Sequence, residues 1–241
     1  MHGFVILHGK QSGPEKPSDP SRVLYEKLSE KYPCDYSEYA WSLNRKFDST
    51  VEQSLEEVEY RVSKMKKDHN IDHVHLIGHS TGGNIALSYA VDYNNVSSYV
   101  LLCPAHTVQN DFAKKITGYS LQEAKKYLDQ NNNELKTFVI FDTSEVKAVQ
   151  IRPKEYISWF EPYGRCNMHI TCAKIKTPIN LYVISGHQDG DRSTLKTIEG
   201  INIGTKLSEY EIILEATHHQ IPKVSSNRIL RWVNKLENII K

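Results

Sequence analysis

A chain of 241 residues, 39% of them hydrophobic, is long enough to bury one sizeable core. Its 30 basic and 29 acidic side chains leave a formal net charge of +1, no basis for holding nucleic acid or an anionic membrane surface. The opening MHGFVILHGK has too short an apolar run for a secretory signal, and no run elsewhere reaches membrane-spanning length, so a cytoplasmic protein without a membrane span is expected. Four cysteines, Cys34, Cys103, Cys166 and Cys172, are too sparse for a disulfide scaffold and are expected to be reduced.

Short apolar runs alternate with longer helical patterns, the signature of an α/β fold with a mainly parallel sheet and helices on both faces. GFVILHG reads as a buried strand that begins almost at the first residue, followed by a loop dense in Gly, Pro and Ser. A helix is expected over residues 21–31, and CDYSEYAWS reads as the second strand. Residues 49–68 place Val51, Leu55, Val58, Val62 and Met65 at spacings of three and four, which predicts an amphipathic helix. HVHLIG is the third strand, residues 81–93 the next helix, and SSYVLLCPA the fourth strand. TPINLYVISG and YEIILEA are later strands, and residues 224–240 form a closing helix with Ile229, Trp232, Val233, Leu236 and Ile240 on one side.

Residues 105–176, between the strand near 98–103 and the strand near 179–185, break the alternation. Two helices are expected there, around 111–117 and 120–131, with a strand at TFVIFD and an aromatic cluster at YISWFEPY. A structureless loop of this length is improbable. The segment therefore reads as a cap-like insertion within one domain spanning 1–241.

Gly78-His79-Ser80-Thr81-Gly82 is a G-x-S-x-G pentad between a strand and a helix, the setting in which that motif forms a nucleophile turn. A strained turn projects the Ser80 hydroxyl from the sheet end, glycines keep neighbouring backbone clear, and the helix N-terminus aims N–H groups at a developing oxyanion. The bland alternative is a Gly-rich turn without chemistry. A serine hydroxyl needs a base and an orienting acid, and both follow in the order Ser, acid, His. SGHQDGD puts Asp189 and Asp191 after one strand, and ATHHQIP puts His218 and His219 after the next. Asp189 is preferred to Asp191 because strand-G-x-x-D is the usual spacing, and His218 is preferred to His219. Each residue alone could be a turn former or solvent-exposed; all three roles at strand ends in this order favour catalysis. The loop after the first strand, HGK, supplies the second oxyanion donor, so the backbone N–H groups of Lys10 and Thr81 are the expected oxyanion hole.

These residues resemble the α/β-hydrolase superfamily through HGK, GHSTGG, SGHQD and ATHHQIP in that order. More narrowly, YAWSLNRKFD, LLCPAH and YISWFEPYGRCNM resemble a little-characterised group of bacterial predicted hydrolases. The resemblance implies that the chain opens on the third strand of the full fold and is N-terminally shortened. It supports Asp189 and His218, and it implies pocket positions for His106 and Trp41, with core packing as the equal alternative for both. The aromatic cluster of Trp159, Phe160 and Tyr163 reads first as cap core and second as lining of an acyl pocket, with Trp159 as a substrate-binding candidate.

The expected activity is a serine hydrolase cleaving a small to medium ester or thioester through an acyl-enzyme, with no cofactor and no metal. CNMHITC offers Cys166, His169 and Cys172, but three residues do not make a structural zinc site. The alternatives are an amidase or peptidase with the same triad, or a non-catalytic binding protein that kept the fold. A monomer or homodimer is expected, with a small-molecule substrate as partner.

Overall fold

The computed structural model describes residues 1–104, 111–142, 145–186 and 205–240. Its centre is a six-stranded, wholly parallel sheet made from β1 (His2–Leu7), β2 (Cys34–Asp35), β3 (His73–His79), β4 (Ser98–Leu102), β7 (Ile179–Gly186) and β8 (Thr205–Ile213). The strand order is β2-β1-β3-β4-β7-β8. A second, antiparallel sheet pairs β5 (Lys136–Asp142) with β6 (Glu145–Ile151).

Successive side chains of a strand point to opposite faces, and the two faces carry separate cores. Val5, Leu7, Val74, Leu76, Leu101 and Val183 pack on one side with α2 (Val51–His69) and α3 (Thr81–Asp92). Phe4, Ile6, Ile77, Val100, Leu102 and Ile184 pack on the other with α1 (Pro20–Ser29) and the closing helix α8 (Ser226–Ile240), through Leu24, Leu28, Ile229 and Trp232. The uninterrupted FVIL run of β1 is buried because helices cover both faces. No helix among the described residues is long and apolar enough to cross a membrane.

Local chemistry sets the helix ends. Asp19 caps α1, accepting from the Ser21 N–H at 2.7 Å, with Pro20 in the first turn where its missing N–H costs nothing. Thr50 and Gln53 form a reciprocal capping box on α2, and Asn70 ends that helix in a left-handed conformation.

Between β4 and β7 the described chain forms α4 (Asp111–Asp129), β5, β6, α5 (Pro153–Phe160) and α6 (Met168–Cys172). The buried residues of this segment, including Leu121, Phe138, Ile140, Ile151, Tyr156 and Trp159, join the core on the α2/α3 face. Phe47 meets Trp159 edge-on at 5.2 Å and Phe160 at 5.3 Å. Ser158 accepts the Val51 N–H at 2.9 Å, so α5 helps to hold the start of α2. Arg165 pairs with Asp92 at 2.6 Å, and Asn84 donates to the Cys166 carbonyl at 3.0 Å.

Three sequence expectations change. The two helices expected over 111–131 are one, because the helix runs through Gly118, whose surroundings are open. The strand expected over CDYSEYAWS shrinks to Cys34–Asp35. Tyr39, Ala40 and Trp41 beyond it are consecutive and all fully buried, which is loop packing and not the alternation of a strand. The strand β6 was not expected at all; half of it is exposed, which left the sequence without a clear period.

Candidate active site

Ser80 stands between β3 and α3 with φ 53° and ψ −119°, a conformation that L-residues rarely adopt. The turn is locked from three sides. Ser80 donates its N–H to the Leu102 carbonyl at 2.9 Å, tying the turn to the end of β4, and Gly83 donates to the Ser80 carbonyl at 2.9 Å. A Cβ on Gly78 would lie 2.3 Å from the Gly82 carbonyl oxygen, and a Cβ on Gly82 would lie 2.3 Å from that of Leu7. Glycine at both positions is therefore what lets β1, β3 and α3 meet. The Ser80 side chain makes no capping bond to its own helix, which leaves the hydroxyl and the first N–H groups of α3 available. Thr81, which follows, is buried.

The loop after β1 presses against this turn. A Cβ on Gly9 would come within 3.4 Å of Ser80 Cβ and 3.3 Å of His79 Nδ1, so Gly9 packs directly against the turn. His8 organises the loop from inside the core. Its Nδ1 donates to the Gly9 carbonyl at 2.8 Å and its Nε2 accepts the Tyr39 N–H at 3.2 Å, which defines one neutral tautomer. Burial depresses the His8 pKa in the same sense. The His8 carbonyl accepts Trp41 Nε1–H at 2.8 Å, and Gln11 donates to the Trp41 carbonyl at 2.9 Å. Lys10 is part-exposed in the middle of this stitched loop.

His218 lies in the turn between β8 and the short helix α7 (Ile221–Val224). The turn is held by Thr217, whose N–H donates to Gln220 Oε1 at 2.9 Å, and by the Ile221 N–H on the Thr217 carbonyl at 3.1 Å. His79 connects it to the nucleophile: its Nε2 donates to the His218 carbonyl at 3.2 Å, and the two rings are 5.0 Å apart. His219 is exposed, its ring 6.5 Å from that of His79. Burial, with the His218 charge adding to it, pushes the His79 pKa down to about 3, so this imidazole is a neutral donor. Its Nδ1 is buried without a hydrogen-bond partner among the described residues. No role for His79 was expected from sequence; its position inside the pentad was the only signal.

Ser80, Thr81, Gly9 and the His218 turn thus converge at the carboxyl end of the sheet, where open parallel sheets bind ligands. Asp189, Asp191 and His106 lie outside the described residues. Trp41 and Trp159, expected at the pocket, are both buried in the core among the described residues. Trp41 is 0% exposed and stacks on Tyr39 at 4.9 Å, while Trp159 is 2% exposed and donates to the Ser49 carbonyl at 2.7 Å. Their size and apolar faces are spent on the core between that loop and the segment joining β4 to β7. Cys166 and Cys172 are buried thiols, and burial raises the pKa of each.

The sheet order, the strand–turn–helix at Ser80 and the helices on both faces give this chain the α/β-hydrolase fold. A family model described as serine aminopeptidase, S33, matches residues 44–156, just under half of the chain and including Ser80. Among solved structures, a soluble variant of monoglyceride lipase from Saccharomyces cerevisiae aligns with a TM-score of 0.68 at 14% identity, covering 98% of this chain and 86% of that one. A monoacylglycerol lipase from Paleococcus ferrophilus aligns at 0.64 and 14%, covering 97% and 93%. Est1E from Butyrivibrio proteoclasticus, with ferulic acid bound, aligns at 0.63 and 14%, covering 97% and 90%. At these identities the likeness is one of fold. No curated protein matches the chain in sequence.

Proposed function

We propose that this protein is a cytoplasmic serine hydrolase that cleaves a small to medium carboxylic ester or thioester. The observation that carries the reading is Ser80: a strained, part-exposed serine at a strand–helix junction, with the Gly9 loop against it and the His218 turn one residue away. Strain of this kind costs on the order of 1–3 kcal/mol and is retained where the geometry is used. In the proposed reaction Ser80 Oγ attacks the carbonyl carbon while His218 takes its proton. The negative oxygen is received by the N–H groups of Thr81 and Lys10. Asp189 orients the imidazole and stabilises its cation. His218 then gives the proton to the leaving alcohol or thiol, and a water activated by the same imidazole releases the acid. The scheme uses no metal or cofactor.

The lipase and esterase neighbours favour ester substrates, whereas the family description favours an amide as a second reading. Hydrolysis of p-nitrophenyl esters from acetate to decanoate, beside aminoacyl p-nitroanilides, separates the two. The ester reading expects turnover of esters that Ser80→Ala abolishes; anilide turnover exceeding ester turnover reverses the assignment.

A further inference from the structure

Away from the nucleophile turn, a cleft of about 540 Å³ opens between the loop after β1, the segment 43–48 and β6. That volume lies in the range of small-ligand sites, and junctions between structural units are where such sites concentrate. Its base is apolar: Phe47 and Ile151 are each 1% exposed, and Val149, also buried, lines it with them. Two further apolar walls are uncovered, Leu43 at 44% and Leu135 at 58% exposure.

The charge of the cleft is one-sided. Arg45, Lys46 and Arg152 line it with a single carboxylate, Asp48. Arg45 is already neutralised, donating to Asp48 at 3.0 Å and to both oxygens of Glu57 at 2.8 Å. Lys46 and Arg152 are exposed and have no carboxylate within ion-pair distance among the described residues. What remains is two unpaired cations above an apolar base.

Backbone strain marks the same place. Eight described non-glycine residues have positive φ, and three of them are asparagines, which tolerate it. The other five fall in two groups. Ser80 and Cys103 belong to the nucleophile turn and the adjoining end of β4; Gln11, Lys46 and Phe47, at 49°, 51° and 64°, all line the cleft. The pair Lys46-Phe47 sends an aromatic ring into the core and a cation to the surface in consecutive residues, held by the Phe47 N–H on the Ala40 carbonyl at 2.6 Å. Gln11 also joins the cleft to the chemistry. It is two residues past Gly9, so its Cα lies within about 8 Å of the backbone that presses on Ser80.

We infer that this cleft receives the far end of the substrate, an alkyl or aryl segment terminating in a carboxylate that Lys46 and Arg152 bind. The apolar base takes the hydrocarbon segment, and the Arg152 fork matches a carboxylate in two parallel hydrogen bonds. The inference rests on the hydrolase reading for its connection to Ser80, but the cleft can be tested without turnover. Wild type and the double variant Lys46→Gln/Arg152→Gln, with folding checked by circular dichroism, are compared on mono-p-nitrophenyl suberate and p-nitrophenyl octanoate. The expected result is a preference of at least tenfold in kcat/KM for the carboxylated ester in wild type, reduced at least tenfold in the double variant. In parallel, calorimetry with monomethyl suberate compares Ser80→Ala with the same protein carrying both Gln substitutions. Binding at least tenfold weaker in the latter supports the cleft even if wild type cleaves neither ester. A selectivity ratio that the double variant leaves unchanged, or monomethyl suberate binding that is absent or survives both substitutions, overturns it.

Discussion

Two glycine-to-alanine substitutions, identical in chemistry, are expected to act in opposite directions. At Gly82 the new methyl carbon would lie 2.3 Å from the Leu7 carbonyl oxygen and 2.7 Å from that of His8. These are backbone atoms at the end of β1 and cannot step aside as a side-chain tip can. Overpacking a rigid site costs about 1–3 kcal/mol, here at the upper end, and alanine returns at most about 1 kcal/mol of helix propensity. The net loss is therefore about 2 kcal/mol, a fall of roughly 1 M in urea midpoint for an m-value of about 2–3 kcal/mol/M. At Gly118, inside α4, no described atom outside its own helix backbone lies within 4 Å of the new carbon, so the propensity gain of about 1 kcal/mol remains and the midpoint should rise. Urea unfolding followed by circular dichroism reads both. A Gly82→Ala protein as stable as wild type would refute the claim that close approach of β1 to α3 is what demands glycine at the nucleophile turn, and a Gly118→Ala protein less stable would refute the open surroundings assigned to Gly118.

If Asp189 and His218 are the acid and base, Asp189→Asn and His218→Ala should lower kcat by several orders of magnitude while Asp191→Asn and His219→Ala keep most activity; a dead His219→Ala would reassign the base. His79→Phe removes the donor to the His218 carbonyl, so kcat should fall more than tenfold with KM little changed, and a KM effect alone would speak for a packing role. Stability should also depend on acid. Burial lowers the pKa of His8, and it takes those of His75 and His79 to about 3, with neighbouring histidines adding to it. All three are neutral in the fold, whereas the unfolded chain protonates them below about 6.5. Their contribution is complete above that pH and is lost as pH falls, approaching about 1.4 kcal/mol per pH unit for each of His75 and His79, with His8 adding in the same direction. Urea midpoints between pH 7.5 and 5 should drop accordingly and less steeply in His75→Asn; a flat profile would contradict the buried neutral assignment.

Legibility in the sequence followed burial. FVIL and HLIG are covered on both faces, so their strands show as continuous apolar runs. Val58, Val62 and Met65 show α2 because one face alone is buried. Its capping box of Thr50 and Gln53 was not read from the sequence and comes from the structure. The first half of β6 is exposed on both sides, and nothing in EVKAVQI announces a strand until Val149 and Ile151. Gly118 looked like a helix break because sequence does not show that its surroundings are open. At the site, the pentad around Ser80 and its strand–turn–helix setting were visible because a nucleophile turn restricts residue type. The burial of Trp41 and Trp159 was not, because an aromatic side chain suits a core and a pocket wall equally. His79 and the cleft depend on which loops meet, and that is set by the fold of the whole chain.

The central claim is that Ser80 is an activated nucleophile, and whole-protein mass spectrometry after brief treatment with a fluorophosphonate tests it most directly. The account predicts a single adduct on wild type, none on folded Ser80→Ala, and much slower labelling of His218→Ala. An unmodified wild-type protein, or an adduct that persists in Ser80→Ala, would contradict it.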